Sequence, residues 1–202
     1  MVNYLNIFLL LDINSYTEKV QQFITEYQQC RNLIILLNEK DKTYDSMKTV
    51  KENLINYLTN LTLIKSKMNF GKDDFSIKVD FAWRDVVKND FWYSNNVNFE
   101  YYSCLFNLAI AYSCLGSCIL PTEDEAKLKE GIKYFQFSSW LFDNIKNELP
   151  SLIPAKETPI DMSQNYLTYV RKNSNIFLTK HIFTYIIFSA LIYALLKLKL
   201  TF

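Results

Sequence analysis

A chain of 202 residues, half of them apolar, is long enough to bury one real core or to be a piece of a larger domain. Its net charge of +1 and pI near 7.6, with Lys, Asp and Glu scattered rather than blocked, leave no basic footprint for nucleic acid. Three glycines and four prolines are too few for the many tight turns of an all-β sandwich. The expected class is mainly all-α, long helices joined by short loops.

The N-terminal run "MVNYLNIFLLLDIN" has neither a positive leading region nor a small-residue cleavage site, so it does not read as a secretory signal. It reads as a buried strand or a first helical turn. From Ser15 the pattern is helical: Tyr16, Val20, Phe23, Ile24, Tyr27 and Cys30 recur at three- and four-residue steps. A second long helix is predicted where Met47, Val50, Leu54, Tyr57, Leu58, Leu61 and Ile64 repeat the same spacing, with Lys48, Lys51, Glu52 and Asn56 opposite.

The period then changes to two. Phe75, Ile77, Val79 and Phe81 alternate with Ser76, Lys78, Asp80 and Ala82, which predicts a strand or small β-hairpin near residues 75–82. The polar stretch "KNDFWYSNN" follows and reads as a loop. Next comes "FEYYSCLFNLAIAYSCLGS", with Glu100 as its one formal charge. Ser103, Ala109, Ala111, Ser113 and Gly116 allow close approach, while Tyr102, Leu105, Phe106, Leu108 and Leu115 fill volume on every side. A helix apolar all round belongs in the middle of a stack, and Asn107, its one amide, is expected to tether a neighbouring backbone.

In the following segment Thr122 and Glu125 form a capping box, with Asp124 adding charge at the helix start. Leu128, Ile132, Phe135, Ser139, Phe142 and Ile145 mark one buried face, and Tyr134, Phe137, Trp140 and Leu141 a second apolar stripe. Consecutive helices covered on two sides predict a tetratricopeptide-like helical solenoid. In the tail, Ile182 to Leu196 carries no charge and lies between Lys180 and His181 before it and Lys197 and Lys199 after it. Fifteen residues span only about 22 Å against roughly 30 Å of hydrocarbon, although counting on to Phe202 approaches that thickness. The segment reads as a membrane anchor, a buried helix or a non-native end.

Catalytic parts are missing from the sequence. The cysteines Cys30, Cys104, Cys114 and Cys118 form no CxxC pair and His181 is the sole histidine, so the cysteines read as reduced packing thiols of an intracellular protein, with no metal site. That single histidine lies far from any supported nucleophile, and Gly71, Gly116 and Gly131 stand alone rather than in a phosphate loop. Asp73, Asp74, Asp80 and Asp85 are expected to be solvated rather than an acid/base pair. No catalytic residue, cofactor or enzymatic activity is expected.

The ordered stretches "VDFAWRDV", "FEYYSCLFNLAIAYSCLGS", "KLKEGIKYFQFSSWLFDNIKNEL" and "PIDMS" resemble the Bro-one domain of Alix-like proteins. The matching residues are Trp83 and Asp85; Leu105, Phe106, Asn107, Ala109 and Ser113; Tyr134, Phe135, Gln136 and Phe142; Asp161 and Ser163. The similarity extends from about Leu9 to Tyr169, its earlier part resting on helix pattern. The resemblance implies a non-enzymatic, banana-shaped scaffold, cytoplasmic and endosome-associated, that binds the C-terminal amphipathic helix of an ESCRT-III subunit in endosomal sorting or membrane remodelling. It places an acidic and a basic partner contact at Glu125 and Lys129, Glu standing where the family usually has Asp. A Glu followed by Lys four residues on also supports any exposed helix.

A family domain continues after "DMS" through further helices that carry apolar groove residues, roughly doubling its length. The expected layout is therefore a partial Bro-one-like domain over residues 1–172 and an apolar tail over 173–202, arising from a truncated or mis-joined gene product or from replacement of half the domain by the tail. The other reading is a tetratricopeptide-like interaction module held on a membrane through Ile182–Phe202. A true array of that kind would repeat at about 34 residues, and one helical pair of that flavour is visible.

Overall fold

Residues 43–67, 81–85, 87–88, 90–120, 122, 124–173, 175–176 and 179 are described by the structure, a computed structural model. Within them the long apolar periodicities become three helices. In α1 (Tyr44–Lys67) all seven positions predicted to face inward, from Met47 to Ile64, are buried, whereas Ile55 and Leu63 are exposed. Thr43 starts the helix, its Oγ1 accepting from the Ser46 amide at 3.2 Å.

The period-two segment yields a two-stranded antiparallel sheet, β1 (Phe81–Arg84) and β2 (Phe91–Ser94), with Trp83 opposite Trp92. Phe81 and Trp83 point into the core. The expectation of a loop through "KNDFWYSNN" is corrected at residues 91–94. Phe91, Trp92 and Tyr93 pair with β1 although none of them is fully buried, so β2 is held by its ladder and its aromatic side chains more than by an inward face.

Asp85 is also corrected, because it is fully buried rather than solvated. The Asp85 amide donates to the Asp90 carbonyl at 2.9 Å and closes the turn. Its carboxylate accepts from the amides of Val87 at 2.7 Å, Lys88 at 2.9 Å and Ile160 at 2.6 Å.

The central element is α2 (Val97–Ile119), capped by Asn96, whose side chain accepts from the Asn98 amide. By length and composition α2 could cross a membrane, but it packs between α1 and α3 instead. Its small residues do what their size allows. Ala109 and Ala111 are buried, and a Cβ on Gly116 would lie 2.6 Å from the Phe135 ring of α3. Asn107 is half-buried rather than enclosed. The one charge, Glu100, is buried and accepts from the Tyr57 hydroxyl of α1 at 2.6 Å.

α3 (Glu125–Leu152) returns antiparallel to α2, since Gly116 meets Phe135 at one end and Phe106 meets Phe142 at the other. The predicted capping box is not formed. Asp124 is the cap, its Oδ1 accepting from Ala126 at 2.9 Å and Lys127 at 3.4 Å, while Thr122 Oγ1 accepts from the Asp124 amide. The helix begins at Glu125, which puts Thr122 too far upstream to reach its first free amides. Leu128, Phe135, Phe142, Ile145 and Leu141 are buried as expected, with Ile132 and Ser139 partly so. The second stripe is only partly covered, because Phe137 and Trp140 are exposed.

Two 3-10 turns, Ala155–Glu157 and Ile160–Met162, lead into helical residues 164–173, α4, which is tied to α3 by the Arg171–Asp143 ion pair at 3.2 Å. The resulting architecture is mainly all-α, a layered stack with one small hairpin. The predicted N-terminal run, the helix from Ser15, residues 75–80 and the tail Ile182–Phe202, with Cys30 and His181, lie outside the described residues.

Candidate partner-binding surface

Residues from several sequence motifs, spread over eighty positions, meet in one place. Trp83 Nε1 donates to both carboxylate oxygens of buried Asp161, at 3.1 Å each. The Trp83 ring packs edge-on against Phe106 at 5.6 Å, and Phe106 against Phe142 at 5.5 Å. Asp85 binds the Ile160 amide beside them, and Ser163 receives the Tyr166 amide at the start of α4. Burial by itself raises the Asp85 carboxyl, but the amides of Lys88, Val87, Ile160 and Asp161 together hold it below its ordinary value. These residues are a buried joint that locks hairpin, α2, α3 and the Pro159–Ser163 turn together. They are architecture: Trp83, Asp85, Phe106, Phe142 and Asp161 are all buried.

The candidate contacts Glu125 and Lys129 lie elsewhere, on the first turns of α3. Lys129 Nζ and Glu125 Oε1 are 2.6 Å apart, with side chains 68% and 65% exposed. The hydrogen bond and charge of Lys129 hold the Glu125 carboxyl below its ordinary value. Solvent screens so exposed a pair, and it adds little to folding.

Beside this pair a polar cluster anchors the same end of α3 to α1. Tyr134 and Tyr44 both donate to Glu130 Oε1, at 2.7 and 3.1 Å. Burial, followed by the hydrogen bonds with Tyr44 and Glu130, raises the Tyr134 phenol far above its ordinary range. Glu130 is thereby turned inward while Glu125 and Lys129 point outward, so the helix presents its charged pair at a fixed rotation.

Farther along the outward side stand Lys133, Gln136, Phe137 and Trp140, all exposed. Spacing alone assigns the aromatic pair to a buried stripe, and the structure exposes it. The available signal was its company: Lys129, Lys133, Gln136 and Trp140 follow one another at helical steps, and three of the four are strongly polar.

A separate cleft of about 290 Å³ opens between the end of α3 and the start of α4. Its walls include Leu149, Ile153, Met162 and Leu167, and its one cation, Lys146, pairs with Asp143. Among the described residues no group of three or more His, Cys, Asp or Glu side chains is placed to hold a metal.

No curated protein matches the chain. Among solved structures, one described as an ALIX BRO1–CHMP4C complex matches with a TM-score of 0.66 and 20% identity, over 88% of this chain and 49% of the other. The chain thus spans about half the length of that neighbour, and the likeness is one of fold. The family model for the BRO1-like domain matches residues 3–173. With that match over most of its length and with the buried joint of Trp83, Asp85 and Asp161, the chain belongs to the BRO1-like domain family.

Proposed function

We propose that this protein is a non-enzymatic scaffold whose residues 1–172 bind the C-terminal amphipathic helix of an ESCRT-III subunit, acting in the cytoplasm at endosomes during sorting or membrane remodelling. The observation that carries the reading is the pairing of family membership with an exposed, rotationally fixed Glu125–Lys129 pair on α3. A similar solved structure is an ALIX BRO1–CHMP4C complex, CHMP4C being an ESCRT-III subunit, which supports this class of partner. Helix recognition of this kind needs few polar contacts, because an apolar stripe supplies most of the affinity and rim charges set register.

The exposure of the pair supports a role for each residue. Lys129 would turn from Glu125 to an acidic side chain of the incoming helix, and Glu125 would meet a basic one, exchanging an internal ion pair for two across the interface. The exchange involves exposed groups, so desolvation opposes it weakly.

The test is fluorescence anisotropy of a labelled peptide carrying the CHMP4C C-terminal helix, titrated with the full 202-residue chain. Saturable binding that Lys129→Glu weakens by about tenfold supports the reading. Binding no stronger than that of a scrambled peptide at high micromolar concentration overturns it.

A further inference from the structure

Trp140 is 62% exposed and Phe137 52% exposed, on a helix whose other large apolar side chains, apart from Leu152 at its last position, are wholly or partly covered. A single surface aromatic needs no explanation. Here two are adjacent on one face, and the face is shared with the charged pair. At 100° per residue, Trp140 lies eleven residues and three turns beyond Lys129 with only about 20° of rotation between them, roughly 16 Å along the axis. Lys133 and Gln136 fill the interval. Phe137 flanks the strip and is held in place by the Tyr112 ring of α2, stacked on it at 5.4 Å and 25°.

Resting on the helix-binding reading above, we infer that Trp140, buttressed by Phe137, is the apolar anchor of the same contact. The incoming amphipathic helix then lies along the outward face of α3 from Glu125 to Trp140. The occupant is specified by the order of chemistry on that face. It needs about fifteen residues, or four turns, to span about 22 Å. A basic group faces Glu125, acidic groups face Lys129 and Lys133, and two apolar side chains three or four residues apart straddle Trp140 and Phe137. The charges at one end set register. Burial of Trp140 supplies the affinity that an exposed ion pair does not, since tryptophan is among the residue types that most often dominate binding energy.

The experiment follows tryptophan emission while the full chain is titrated with an unlabelled, tryptophan-free CHMP4C helix peptide. Trp83 is buried and Trp92 half-buried, so an emission change on binding reports mainly on Trp140. The inference predicts a blue shift that Trp140→Phe abolishes, together with anisotropy-measured binding weakened about tenfold or more by Trp140→Ala and largely retained by Trp140→Phe. Circular dichroism should be unchanged in both variants, because the ring is at the surface.

Binding that Lys129→Glu weakens while Trp140→Ala leaves it within twofold, with no blue shift, overturns the anchor and leaves the scaffold reading standing. Absence of binding by the unmodified chain defeats the scaffold reading, and the anchor falls with it. Sedimentation with phosphatidylserine vesicles that depends on Trp140, alongside peptide binding that does not, assigns the side chain to a lipid surface and overturns the inference as well.

Discussion

The indole nitrogen of Trp83 is 3.1 Å from each carboxylate oxygen of Asp161, a contact between residues 78 positions apart, both buried. It fastens the hairpin to the turn before α4. Replacing Trp83 by Phe keeps a ring against Phe106 but takes one hydrogen-bond donor away from a buried carboxylate. The expected loss is about 1–3 kcal/mol of unfolding free energy in urea titration. Asp161→Asn, which retains an acceptor, should lose less.

Asp85 gives the fold a defined acid sensitivity. Its folded carboxyl is held below the ordinary value of 3.8, so its contribution is present above that value and is lost as pH falls through the lower folded one. Urea midpoints measured from pH 6 down to pH 2 should therefore decline for the unmodified chain in the acid part of that range. Asp85→Asn should be less stable at pH 6 and flatter below pH 4.

Much of this framework was legible in the sequence, for reasons that differ between elements. The seven apolar positions of α1 announce their burial because one face of a helix against one neighbour gives one periodicity. α2 reads as central because it lacks a polar face, and Glu100, its exception, is met by Tyr57. The aromatic stripe of α3 misleads because spacing reveals that Phe137 and Trp140 share a side, and says nothing about whether another element covers it. A carboxylate near a turn usually faces solvent, which is all the sequence says of Asp85; its four backbone donors come from two segments that only the fold brings together.

The motif residues Trp83, Asp85, Phe106, Phe142 and Asp161 mark the buried joint, while Gln136 alone among the motif residues stands exposed on the outward side of α3. The residues of the joint need exact neighbours, whereas Glu125 and Lys129 need only be exposed.

The crossing of α2 and α3 is tight at Gly116. A Cβ there would sit 2.6 and 2.7 Å from atoms of the Phe135 ring, which is itself buried and cannot swing into solvent. Gly116→Ala should cost about 1–3 kcal/mol through overpacking, despite the higher helix propensity of Ala. Thermal denaturation followed at 222 nm measures this, and Gly116→Ala combined with Phe135→Leu should recover part of the loss.

Ser138 makes the opposite case. Its hydroxyl is fully buried on α3 and has no hydrogen-bond partner. Ser138→Ala removes the unmet polar group with little change in volume, so stability should hold or rise by up to about 1 kcal/mol. Chemical denaturation of the two chains side by side is the check.

The central claim is that the outward face of α3 receives an amphipathic helix, and it is tested most directly by anisotropy titration of the CHMP4C C-terminal helix peptide with the full chain and its Lys129→Glu variant. The account predicts saturable binding that the substitution weakens by about tenfold, with the fold intact by circular dichroism. Binding indistinguishable from that of a scrambled peptide, or binding indifferent to the charge at position 129, would contradict it.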